Sequence, residues 1–306
     1  MTRSQRGVAR GWVALLLMTP TGLLLLVMIV GPLLAVGAFS FLNQLPPGEH
    51  FTWLQWATAL SPQQIYLGLA LRSLGLAAGV TVLTVAAAYP MAYALAMVVR
   101  RNQMAWLSLV MVPFLTSSLL LIYSFMVLFQ PRGPVMVALA ALHLVPVTST
   151  LVYTPYAVVL VLLYEYVPYM VLTLYTSLEQ MDRSALDAAR SLGAGRLTLF
   201  RRVLLPMSAP GLLVGVVLVF PPVAGAFVEP QILGGPNAFF LGNAIQNQIA
   251  LVYDWPLAAC LSFLLLFAVL AVLALFQGTV ALSRLTARRF AHAPATAQVS
   301  AEGAGV

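Results

Sequence analysis

Glu165 is the only charged residue in the apolar run Leu151–Leu178, and it stands between two phenols, Tyr164 and Tyr166. A carboxylate is costly to hold at membrane depth, so one found there marks a candidate functional site. Among aromatic rings it suits an ammonium group, through ion pairing and cation–π attraction. A structural carboxyl, hydrogen-bonded to a tyrosine or to a neighbouring subunit, accounts for the same residues equally well. Two further acids, Glu229 and Asp254, sit where apolar runs end. There they would meet an entering cation or a docking protein, or simply be solvated.

Other chemistry is excluded by residue types that are missing. All fifteen basic residues are arginine, which removes both the lysine of a phosphate loop and that of a Schiff base. If ATP drives this protein, another chain must hydrolyse it. Cys260 is the single cysteine and His143 has no metal-ligating partner at useful spacing, so no metal site is expected. No His-Glu-x-x-His or similar pairing occurs in the apolar runs, which speaks against an intramembrane hydrolase. No catalytic residue, metal or cofactor is therefore assigned to this chain.

The elements that must position these acids are membrane helices. With 61% hydrophobic and 8% charged residues among 306, the chain cannot bury its apolar surface in a soluble core. Charge-free runs at Gly11–Gly48, Ser73–Val99, Asn102–Pro131, Leu151–Leu178 (Glu165 apart), Val203–Val228 and Trp255–Ser283 each exceed the roughly 20 residues a span requires. The expected fold is all-α, with six transmembrane helices. The apolar piece Val135–Val145 is too short to cross and reads as an interfacial helix. Prolines Pro90, Pro113, Pro155, Pro168, Pro210, Pro221 and Pro222 fall within these runs, where they can kink helices and free carbonyls to line a cavity.

Charge sets the orientation. With the N-terminus inside, thirteen of the fifteen arginines are cytoplasmic and only Arg72 and Arg132 are not, as the positive-inside rule expects. The arginines lie in short clusters without aromatic interleaving, so the net charge of +7 reflects topology and not nucleic acid. The predicted domains are a cytoplasmic segment at 1–11, a six-span domain at 12–283, and a disordered cytoplasmic tail at 284–306.

One polar insertion separates the fourth and fifth runs. It carries Arg183, Arg190, Arg196, Arg201 and Arg202, yet Leu186, Ala189, Leu197, Phe200 and Leu204 recur at helical spacing. It should be folded: two short helices around Gly193-Ala194-Gly195, with Ser184 and Asp187 as a capping box and Pro206 closing the second helix. A basic helix pair lying on the membrane surface is the plainer alternative.

Asp187-Ala188-Ala189, then Gly193 after three residues, then Val203-Leu204-Leu205-Pro206 after nine more, resembles the EAA loop of permease subunits of binding-protein-dependent ABC importers. Asp187 stands for the family's Glu and Val203 for its Ile. The resemblance implies that the loop, 182–206, seats in a cleft of an ATPase subunit, with Asp187, Ala188, Ala189, Gly193, Leu205 and Pro206 transmitting ATPase closure. Downstream, Gly225-Ala226-Phe227-Val228, Leu233-Gly234-Gly235-Pro236, Gly242-Asn243, Ile245-Gln246-Asn247-Gln248 and Asp254-Trp255-Pro256 resemble the first permease subunit of spermidine/putrescine importers. That group tends to place an acid where Gln231 stands, whereas this chain has Glu229.

By resemblance, the partners are two ATPase subunits that bind ATP and magnesium, a second, non-identical permease, a periplasmic binding protein and the lipid bilayer. The location is the bacterial inner membrane, multi-pass, with both termini cytoplasmic. The expected cargo is a small organic cation of polyamine type, carried past Tyr164, Glu165, Tyr166, Glu229 and Asp254. Competing expectations are a permease for another solute such as an opine or thiamine, and a proton-coupled secondary transporter with Glu165 as its relay.

Overall fold

The computed structural model describes residues 3–42, 51–61, 63, 65–99, 101–146 and 148–291. Backbone polar groups at membrane depth must be satisfied within their own segment, and the chain meets this demand with helices. Among the described residues the one β contact is an isolated bridge between Leu42 and Phe51.

In chain order the helices are α1 (Arg3–Phe39), α2 (Leu54–Leu60), α3 (Tyr66–Tyr93), α4 (Gln103–Met111), α5 (Ser118–Phe129), α6 (Pro134–Ala141), α7 (Pro155–Glu179), α8 (Arg183–Ser191), α9 (Arg196–Leu199), α10 (Leu205–Ala224), α11 (Leu241–Asn247) and α12 (Trp255–Ala291). Among the described residues, six segments are long and apolar enough to cross a membrane: Thr19–Phe39, Tyr66–Val98, Ser118–Ala141, Pro155–Glu179, Arg196–Ala224 and Trp255–Thr279. The number agrees with the sequence, but the third segment does not. The run Asn102–Pro131 is broken at Thr116 and Ser117, whose backbones are extended, just after Pro113 and a 3₁₀ turn at Val112–Leu115. Proline supplies no N–H and crowds the preceding turn, so Gln103–Leu115 becomes a separate short helix. The third segment instead joins α5 to α6 through a turn with Arg132 at φ 63°.

Two more expectations change. Pro155 does not interrupt α7 but starts it, next to Thr154, whose hydroxyl accepts from the Ala157 amide; proline is well suited to the first helical position. The last helix continues past Ser283 to Ala291, so residues 284–291 are helical and not a disordered tail. Residues 1–2, Arg100 and the rest of the tail, 292–306, lie outside the described residues.

The core is the packing of α3, α7 and α10. Ala77, Val80, Val158, Val161, Leu174, Val219 and Phe220 are buried there. At Gly211 a Cβ would overlap the Thr173 carbonyl and the Ser177 Cβ, so α10 passes α7 almost backbone to backbone, the usual way membrane helices approach closely. A second cluster, with Ala59, Leu69, Leu241, Cys260 and Leu261, ties α2, α3 and α11 to α12. Helix α1 stands apart. Every side chain from Leu23 to Val30 is exposed, and Gly37 meets Phe263 of α12. Such a face requires lipid or another apolar chain beside it.

Candidate functional site

Glu165 lies within α7 and faces α5. The Ser118 hydroxyl donates to its Oε1, while its Oε2 is buried with no hydrogen-bond partner among the described residues. The flanking phenols part company, because successive helix positions point about 100° apart. Tyr164 turns outward, 45% exposed, edge-on to Phe125 at 5.3 Å. Tyr166 stacks obliquely on Tyr169 at 5.7 Å and lies within electrostatic reach of both Glu165 and Glu229.

Glu229 is only 9% exposed, which removes the solvated reading of this acid. It begins a π-helical turn, Pro230–Gly234, that packs against α7 and α5, the two helices carrying Glu165 and Ser118. Burial pushes its carboxyl above the usual range, and the Glu165 charge pushes it the same way. The loop holding it is pinned by Asn243, whose amide donates to the Phe227 carbonyl (2.9 Å) and accepts from the Phe240 amide (3.2 Å). Asp254 is placed differently: its Oδ1 accepts from the Leu257 amide at 3.0 Å, capping α12.

The polar insertion folds as an elbow. Its first helix is capped by Asp182, not by a Ser184–Asp187 box. Asp182 accepts from the Ser184 amide (2.9 Å) and hydroxyl (2.7 Å), and these two bonds hold its carboxyl below the usual range. Asp187 sits a turn further on, exposed and paired with Arg190 at 3.0 Å. Helix α8 ends in a Schellman arrangement: Gly193 N–H bonds to Arg190 O (2.9 Å) and Ala194 N–H to Ala189 O (3.1 Å). Gly193 takes φ +78°, and a Cβ there would meet nothing within 4 Å. The requirement is thus for backbone freedom and not for space. Leu186, Leu199 and Leu204 bury the inner side of the elbow, whereas Leu192 is 88% and Leu197 62% exposed; Ala188 is exposed and Ala189 packs on the core.

Pro206 does not close the second helix. Residues Arg196–Ala224 run on as one segment, with a π-helical stretch at Phe200–Leu204 and the Leu205 amide bonded to Phe200 O. Proline cannot donate to the carbonyl four residues back, and the widened turn absorbs the defect. Leu205 and Pro206 accordingly lie at the head of the span.

Residues 88–291 match the family described as binding-protein-dependent transport system inner membrane component. The chain belongs to that family. Among its relatives is the spermidine/putrescine transport system permease protein PotB of Escherichia coli, 32% identical over 256 residues, 83% of this chain and 89% of the relative. Another is the inner membrane ABC transporter permease protein YdcU of the same organism, 31% identical over 202 residues, covering 62% and 64%. In structure the chain resembles a bacterial alginate ABC transporter solved with a periplasmic protein carrying an alginate pentasaccharide, with TM-score 0.72, 14% identity, and 90% and 96% of the chains covered. At that identity the likeness concerns the fold.

The permease has one linkage that its sequence did not announce. The Tyr89 hydroxyl of α3 meets Ser208 Oγ of α10 at 2.9 Å, both buried, and the Tyr89 ring stands edge-on to Phe200 at 5.0 Å. These contacts join the elbow to the helical core. A phenol beside Pro90 and a serine two residues after Pro206, both polar within apolar runs, were the available signals. The family match also favours a permease over a proton-coupled carrier.

Proposed function

We propose that this permease forms half of an ATP-driven import pathway for a small organic cation. Two ATPase subunits hydrolyse ATP and dock on the elbow. A second, non-identical permease completes the pathway, and a periplasmic binding protein delivers the cargo. Both termini and the elbow face the cytoplasm, the side that thirteen arginines favour. In this reading Leu192 and Leu197, exposed beside Asp187, enter the ATPase groove, and Gly193 fixes the angle between the two helices.

The observation that carries the cargo class is the Glu165 carboxylate, with one oxygen held by Ser118 and the other buried and unpaired. Glu229, which is buried, lies within electrostatic reach of Glu165. The Glu165 charge opposes ionisation of Glu229, and a cation arriving beside them offsets that cost. A protonated amine satisfies both, and Tyr166 and Tyr169 offer ring faces to its methylenes. The names of the spermidine/putrescine relatives support the polyamine class; thiamine, itself a cation, would suit the paired acids too, whereas an opine explains them less directly. Asp254, as a helix cap, contributes position and not contact.

The test is uptake of labelled putrescine and spermidine into proteoliposomes holding the complete transporter. Uptake should require ATP and the binding protein, and should fall on the order of a hundredfold or more in Glu165→Gln, since stranding a desolvated partner charge costs roughly 3–5 kcal/mol. Full uptake by Glu165→Gln, or transport confined to anionic or neutral solutes, would refute this reading.

A further inference from the structure

A cleft of about 790 Å³ opens between α3 and the elbow. Arg190 and Arg196 stand on its wall together with Tyr93, and Val85, Leu204 and Leu205 provide an apolar lining. Because α10 starts its apolar run at Leu205 and α3 carries Val85 back into its span, the cleft straddles the bilayer boundary. Its charged part lies on the elbow and its apolar part lies along the spans. Arg190 pairs with Asp187 through Nη1 alone, at 3.0 Å, and Arg196 has no ion-pair partner among the described residues. Arg201 and Arg202 are exposed nearby and add to the same positive field.

We propose that this cleft holds one anionic phospholipid of the leaflet that the elbow faces. The phosphate sits at the wall that carries Arg190 and Arg196, and an acyl chain lies along the apolar lining of Val85, Leu204 and Leu205. Basic pockets between membrane helices at the headgroup level bind anionic lipid headgroups, and the volume falls in the range, about 300–1,000 Å³, of pockets that enclose small ligands. The order of the lining, cations at one end and apolar side chains at the other, matches a lipid better than a free phosphate or a peptide. A lipid so placed would touch Tyr89, Pro90 and Phe200, the residues that connect the elbow to the core. It would thereby make transport sensitive to membrane composition.

The experiment is native mass spectrometry of the full chain, alone and in the assembled transporter, titrated with phosphatidylglycerol, with phosphatidylcholine of the same acyl chains, and with glycerol phosphate. One tightly held phosphatidylglycerol is expected in both preparations. Arg196→Ala should weaken it about fivefold, Arg196→Lys should retain it, and Ala86→Phe, placed on an exposed cleft position, should displace it. Thermal unfolding of each variant identifies those that fold like the parent, and Ala86→Leu replaces the phenylalanine if that one does not. Equal retention of the two lipids, binding unmoved by Arg196→Ala or by the cleft-filling variant, or displacement by glycerol phosphate would overturn the proposal. So would loss of the lipid on assembly, which would give the cleft to a partner subunit.

Discussion

Gly193 offers the sharpest test of the elbow, because the structure separates the two reasons a glycine can be required. Its φ of +78° lies where an L side chain is strained, while a Cβ at this position would find empty space to 4 Å. The expected cost of Gly193→Val is therefore conformational alone, about 1–2 kcal/mol for a left-handed residue and toward the upper end for a β-branched one. That corresponds to roughly a 5- to 30-fold change in the equilibrium between bent and unbent elbow. The strain is local to the Schellman turn, so membrane insertion and global stability should survive. Gly193→Asn should recover most of the loss, since asparagine tolerates the left-handed region. The assay pairs substrate uptake with ATPase activity in purified transporter at matched expression. Full uptake and full ATPase attachment in Gly193→Val would remove the elbow from the coupling path. Equal damage from Val and Asn would show that volume, not φ, is what the position guards.

Further outcomes are expected elsewhere. Tyr89→Phe removes the 2.9 Å bond to Ser208, a loss of about 1 kcal/mol, and should lower uptake per ATP hydrolysed while leaving insertion intact; unchanged stoichiometry would make the linkage structural only. Glu229 has a carboxyl raised by burial, so it opposes folding above that raised value and ceases to do so below the ordinary carboxylate range. Glu229→Gln should then raise the thermal midpoint of the empty permease near neutral pH, flatten its fall with rising pH and reduce cation uptake; a lowered midpoint contradicts the assignment. Asp182 is the opposite case, with a carboxyl held low by Ser184. Its cap is present above the ordinary range and lost as pH falls through the depressed value, so the protection of the Ser184 amide, measured relative to its intrinsic exchange rate at each pH, should fall in acid, as it should in Asp182→Ala at neutral pH. A reporter fused after Arg183 should read cytoplasmic and one near Asn237 periplasmic; the reverse pair would invert the orientation.

Much of this fold was legible because its signals are local and strong. Length and the absence of charge locate helices in a membrane protein, and Gly193 after an alanine pair marks a reversal at any reading. The misplaced elements are those where two local rules compete. Ser184 with Asp187 and Asp182 with Ser184 are both plausible caps; the second prevails because α7 ends at Glu179 and leaves only a three-residue turn before α8. Pro206 terminates a helix by one rule and begins one by another, and the π-helical stretch that reconciles them carries Phe200, whose ring stands edge-on to Tyr89 across the bundle. Pro113 was visible, but a charge-free run carries no mark of where extended backbone will divide it.

The candidate cation site shows a different limit. Glu165 could be singled out from its surroundings in the chain, whereas Ser118 and Glu229 are joined to it only by packing, from residues 47 and 64 positions away. Hydropathy put Glu229 at an outer boundary because a charge ends the apolar run there. What hydropathy does not show is that Pro230–Gly234 packs back onto α5 and α7 and the acid is buried. Burial disfavours the charged form of a carboxylate placed so, and its neighbour's Oε2 has no hydrogen-bond partner among the described residues. An oxygen left unpaired among the described residues is open to a cargo cation, as proposed, or to a donor from a neighbouring subunit, and uptake by Glu165→Gln in transporter that still assembles separates the two.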